Sequence, residues 1–186
     1  MTTVLRVNMD EIDDELLRDW KARYGSSMVE LRILDENENG DTLSESEFWA
    51  IIESFDWAKE EEEDIMKPAL QQLSTLPIAK IQQFQDILSH KLWQLDGQAY
   101  AATLIAQDGF LSVDDFLYVR CAAVADGRST FEEVLQQPEK MPIEYSFESL
   151  LYLATDAYAQ KTGEPMTYLP KYNFETYQNR SGWKKA

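Results

Sequence analysis

The sequence predicts a mainly α fold, a multi-helix bundle that carries a small N-terminal β-α-β unit and is therefore α+β overall. Three observations lead there. From Ser44 to Gly163, apolar residues recur at helical spacing, with Ser, Gly and Pro marking the ends of the runs. Ahead of them, two short aliphatic segments flank a single helical pattern. An apolar content of 44% with 12% aromatics is enough for a packed core in one domain with an appendage.

The elements follow in order. Residues 3–7 and 28–34 read as strands; in the second, Val29, Leu31 and Ile33 share one face and Glu30 and Arg32 the other. Between them Ile12, Leu16, Leu17, Trp20 and Tyr24 recur at helical spacing, and Gly25 stops the helix. The unit thus spans residues 1–34, and 35–43 form an acidic linker. The linker resembles a calcium loop through Asp35, Asn37, Asn39 and Gly40, but its twelfth position is Ser46 instead of the bidentate Glu that coordination needs.

The helical domain, residues 44–163, opens on a capping box of Ser44 and Glu47 before a helix with Phe48, Ile52 and Phe55 inward. The acidic run Glu60 to Asp64 leads into a helix expected to begin near Pro68 and end by Leu76. Pro77 opens a longer helix to about Leu95, with Ile78, Ile81, Phe84, Leu88, Leu92 and Leu95 on one side and His90 nearly opposite. Another runs from Gly97 to Ala106. The next, from Ser112 to Gly127, is apolar on nearly every face and reads as the buried hub. Ser129 with Glu132 is expected to cap a short helix stopped by Pro138, and Ser146 to cap the last one, which Gly163 ends. The tail, residues 164–186, is dense in aromatics and reads as a wrap over the helices.

Charge is the strongest compositional signal, a net of -17. Residues 1–64 hold 20 Asp or Glu against 6 Lys or Arg, whereas residues 165–186 are basic through Lys171, Arg180, Lys184 and Lys185. Such a field disfavours nucleic acid and anionic membranes and favours a basic protein partner. The single cysteine, with no signal-peptide pattern at the N-terminus and no apolar run of membrane-spanning length, fits a cytoplasmic protein.

Arg120 is the most informative single residue, because it falls among Val113, Phe116, Leu117 and Val124 on the hub helix. A guanidinium there keeps its proton, so it is paired internally with a carboxylate or faces a site that takes an anion. Asp114 and Asp115 stand in the first turn of the same helix, where the dipole favours carboxylates. Together the three are the candidate ligand- or partner-binding residues. Cys121 reads as packing and His90 as a surface histidine without a neighbour to orient it. No glycine-rich phosphate loop, zinc spacing or nucleophile elbow occurs, so no catalytic residues, metal or cofactor are expected and the pattern points away from an enzyme.

Several segments resemble an uncharacterised bacterial family, the domain of unknown function 4240. They are Glu47-Phe48-Trp49-Ala50-Ile51-Ile52-Glu53, Leu73-Ser74-Thr75-Leu76-Pro77, Gly109-Phe110-Leu111-Ser112-Val113-Asp114-Asp115-Phe116-Leu117-Tyr118-Val119-Arg120, Gly127 with Phe131-Glu132 and Pro138, and Leu151-Tyr152-Leu153-Ala154 with Ala157-Tyr158 and Lys161-Thr162-Gly163. The resemblance covers about 44–163 and departs from the family pattern at Val119 and Cys121, where an aromatic and a bulkier residue are commoner. It implies a helical domain and no assigned reaction. The leading expectation is a non-enzymatic, acidic interaction protein of immunity or antitoxin type. The alternatives are a small-anion or enzymatic domain with a pocket beside Arg120, and a homodimer formed through the N-terminal sheet.

Overall fold

The computed structural model describes residues 14–25 and 42–183. The chain divides into two compact units, Met1–Glu38 and Asn39–Ala186. In the first, α1 (Asp14–Tyr24) ends where Gly25 follows it, with Lys21 and Arg23 in the last turn beside the negative end of the helix dipole.

The second unit holds α2 (Glu45–Ile52), α3 (Glu62–Thr75), α4 (Ile78–Gln94), α5 (Gln98–Asp108), α6 (Val113–Ala125), α7 (Arg128–Gln136) and α8 (Leu153–Thr162). A 3-10 turn at Pro138–Lys140 follows α7 and another at Glu148–Tyr152 leads into α8. Every regular element among the described residues is helical, so the expected α+β class is corrected to a helical one. The segments read as strands, 3–7 and 28–34, lie outside the described residues, as do the homodimer edge built on them and residues 35–41 of the linker. Aliphatic alternation fixes which side chains share a face. A strand exists only through ladder hydrogen bonds to a neighbour, and two strands alone are marginal.

Local chemistry explains several helix ends. The Ser44 hydroxyl accepts from the Glu47 amide (3.1 Å) while the Ser44 amide donates to the Glu47 carboxylate (2.7 Å), a complete capping box. Ser112 caps α6 by accepting from the Asp115 amide. Gly109 and Gly163 close α5 and α8 with φ of 79° and 76°.

Three boundaries differ from expectation. α3 begins at Glu62, six residues before Pro68, because the acidic first turn suits the dipole and the proline forfeits only the hydrogen bond to the carbonyl of Asp64. The face that α3 packs on α8 sustains the helix through it. Gly127, at φ 93°, takes the N-cap position of α7, which places Ser129 inside that helix. Ser146 caps nothing, since the 3-10 turn from Glu148 runs directly into α8.

The hub is α6. Phe116, Leu117 and all residues from Val119 to Ala125 are buried, and the helix touches α4, α7 and the 3-10 turn before α8. Phe48, Phe84, Leu88 and Leu92 from α2 and α4, Phe131 from α7, and Leu150, Leu153 and Ala157 from the last segment complete the core. No described helix is long and apolar enough to cross a membrane.

Candidate functional site

Arg120 is completely enclosed, with 0% of its surface exposed. Its Nε donates to the Phe116 carbonyl (3.4 Å) and Nη1 donates to the carbonyls of Leu92 (2.9 Å) and Phe174 (3.0 Å). Nη2 donates to the Thr176 hydroxyl (3.0 Å), which in turn donates to the Val113 carbonyl (2.7 Å). The guanidinium also lies 4.8 Å from the centre of the Phe116 ring. Burial lowers its pKa to about 10, an effect opposed by Asp96, and it stays protonated at neutral pH. The expected pairing with a carboxylate is thus replaced by carbonyls and a hydroxyl drawn from α4, α6 and the tail. The planar fork of donors suits such a clamp.

The carboxylate partner of the tail is Asp96, also fully buried. It accepts from the amides of Tyr177 (3.1 Å) and Asn179 (2.7 Å) and from the indole nitrogen of Trp183 (2.7 Å). Asn179 adds a bond from its side-chain amide to the Trp93 carbonyl. Here the tail approaches α5 through two glycines. The Gln98 amide donates to the Gly182 carbonyl at 2.9 Å, and a Cβ on Gly182 would lie 2.5 Å from the Asp96 carbonyl oxygen.

The three candidate residues therefore occupy different settings. Arg120 directs its donors inward to α4, α6 and the tail, whereas Asp114 and Asp115 are exposed in the first turn of α6. Cys121 is wholly buried, and desolvation pushes its thiol well above the ordinary range, leaving no thiolate at neutral pH. His90 is half-buried and stacks on Tyr172 of the tail at 4.4 Å, with Trp93 6.2 Å away. Burial first, and Lys91 second, lower its pKa.

His90 and Tyr172 wall an open cleft of about 240 Å³ that also involves Glu45, Asp86, Lys91 and Lys171. The charges in it are already matched. Lys91 bonds Glu45, with its ammonium 5.0 Å from the Phe131 ring. Asp86 accepts from the Tyr168 hydroxyl (2.8 Å) and the Lys171 amide (3.0 Å), with the Lys171 ammonium 3.5 Å away. Among the described residues, no group of three or more His, Cys, Asp or Glu is placed to hold a metal ion.

The same matching extends across the second unit. Lys59, Lys67, Lys80, Arg128 and Lys140 face Asp56, Asp64, Glu47, Glu132 and Glu133 respectively. Outside these pairs stand exposed carboxylates at Glu53, Glu60, Glu61, Glu63, Asp108, Asp114, Asp115, Glu139 and Glu144. Cations are largely engaged internally and the outward field is acidic.

A family model for proteins of unknown function, DUF4240, matches residues 43–160, which run from the residue before the Ser44 cap nearly to the end of α8. The chain belongs to that family. The match takes in α2 to α7 and the hub with Arg120, and stops short of Phe174, Thr176 and the Asp96-bound tail residues. No curated protein and no solved structure matches the chain.

Reading by local pattern missed Asp96, Asp86, Thr176 and Asn179. Asp96 directly precedes Gly97 and looks like part of an ordinary turn; the one signal was its place at the end of an apolar helix, where a carboxylate opposes the dipole.

Proposed function

We propose that this protein is an acidic partner-binding module that engages a basic protein, in an immunity- or antitoxin-like role within a reducing cytoplasm. The observation that carries this reading is the pairing of cations: Lys59, Lys67, Lys80, Lys91, Arg128, Lys140 and Lys171 each lie against a carboxylate of their own unit, leaving exposed acids to dominate the surface. An excess of one sign over a rigid helical unit accelerates encounter with an oppositely charged partner and repels phosphates. The groups that nucleophilic or acid-base chemistry would use are differently engaged. Cys121 is sealed, and His90 stacks on Tyr172 with no carboxylate among the described residues bonded to its ring.

The test is capture on the immobilised full chain at low salt, elution by a salt step, and measurement of Kd with the purified eluted protein at two ionic strengths. A basic protein whose affinity falls at least tenfold between about 20 and 200 mM salt is the expected result. An acidic partner, or an affinity indifferent to salt, overturns the reading.

A further inference from the structure

We infer that the strip along α6 and the segment 145–152 is the docking face, and that its occupant is an extended lysine- or arginine-containing segment of the partner. The inference rests on the partner-binding reading above and adds where contact is made and what chemistry makes it.

The strip combines exposed rings with carboxylates. Trp57 and Tyr152 are 47% and 51% exposed, and Tyr145 is 38% exposed. Trp57 is anchored on the buried Phe147 ring at 5.4 Å, so it is presented outward in a fixed position. The Phe147 amide donates to the Tyr118 carbonyl (3.1 Å), which lays the segment along α6. At one end the Tyr145 hydroxyl bonds the Asp126 carboxylate at the C-terminus of α6. At the other, the Tyr152 hydroxyl donates to Glu148 (3.4 Å), and Tyr118 lies near the carboxylates of Glu148 and Asp114. Tyr118 and Asp114 are one turn apart on the same helix.

None of these residues is basic, so every charge offered on the strip is negative. Aromatic faces with flanking carboxylates bind guanidinium and ammonium groups by cation–π contact and ion pairing together. Exposed Trp and Tyr are the residue types that most often dominate interfaces. The geometry also sets a length. The 13 residues of α6 rise about 20 Å, which roughly six residues of extended chain would span. Asp114 thus re-enters as one edge of the face, without Arg120.

The experiment titrates the full chain at low salt with a labelled eight-residue peptide alternating arginine and serine, and with a glutamate–serine peptide as control. The variants are Trp57→Ala, Tyr152→Ser and Glu148→Gln, compared with the triple change Glu60→Gln, Glu61→Gln, Glu63→Gln on and before α3. Trp57→Ala is expected to weaken the arginine peptide about tenfold and Glu148→Gln about fivefold, while the triple change costs about twofold. Tyr152→Ser, at an exposed ring that leaves folding intact, supplies the same readout if Trp57→Ala perturbs the fold. Equal losses from the strip and α3 variants overturn the strip and leave the acidic partner-binding reading standing. Failure of the arginine peptide to bind, or equal binding of the glutamate peptide, overturns the extended basic occupant of the strip, while the partner-binding reading is decided separately by the salt dependence of the captured protein.

Discussion

Two regions of the second unit set polar groups against aromatic surfaces, and they do so to opposite ends. Around Arg120 and Asp96 the donors and acceptors are enclosed and directed at one another: carbonyls of Leu92 and Phe174 and the Thr176 hydroxyl on the guanidinium, two amides and an indole on the carboxylate. Along Trp57, Tyr118, Tyr145 and Tyr152 the rings are half in water and the carboxylates beside them meet no base of the strip. The first region converts charge into tertiary order, because a buried ion left unsatisfied is costly. The second keeps charge and apolar surface available together, an arrangement that suits recognition. Ionisable groups alone do not mark a binding site. Among the described residues Arg120 heads the fully buried side chains by size, and its chemistry is directed inward.

That contrast can be broken most decisively at the lock. Arg120→Met leaves the Leu92 and Phe174 carbonyls without their donor and is expected to cost at least about 3 kcal/mol in urea unfolding. Asp96→Asn, which retains the shape and loses the charge, is expected to cost about 2 kcal/mol and to raise protease cleavage within 164–183 before the helices are cut. A loss below about 1 kcal/mol in both variants would show that the lock adds little to stability.

A smaller effect is expected where the tail crosses α4. Burial and Lys91 hold the pKa of His90 below its ordinary value of 6.5, so the native state binds this proton more weakly than the unfolded chain does. Its contribution is therefore complete above that value and fades as pH falls through it. Because the ring is partly exposed, the change between about pH 7 and pH 5 is expected to stay under about 1 kcal/mol. Subtracting the pH profile of His90→Gln from that of the parent should isolate it; a difference that grows with falling pH in the variant's disfavour would reverse the sign.

The smallest effect on stability belongs to the strip. Tyr152→Ser is expected to shift unfolding by under about 0.5 kcal/mol, as at an ordinary surface position, while it weakens binding of the arginine peptide. A stability loss matching that of the lock variants would make the strip part of the core architecture and erase the distinction.

Several helix ends in the second unit were legible locally. Ser44 with Glu47, Ser112 with Asp115, and the glycines at 109 and 163 act within four residues of chain, the range over which caps form. The start of α3 departs from local expectation because packing on α8 outweighs the helix-breaking tendency of Pro68. Alternation at 28–34 groups side chains on one face but carries no information about a pairing partner, which is what a β-α-β unit needs.

By itself, then, the sequence determined the helical periodicity of residues 44–163, the hub helix and the burial of a charged Arg120, since each follows from spacing along one short segment. Only tertiary structure decided what Arg120 meets. Its partners Leu92, Phe174 and Thr176 lie 28, 54 and 56 positions away, and carbonyls, which every residue carries, leave no mark in the amino-acid code. The same holds for the strip: Trp57, Tyr118 and Tyr145–Tyr152 are brought together by the path of the chain across α6, and side-chain pattern within any one segment cannot specify that path.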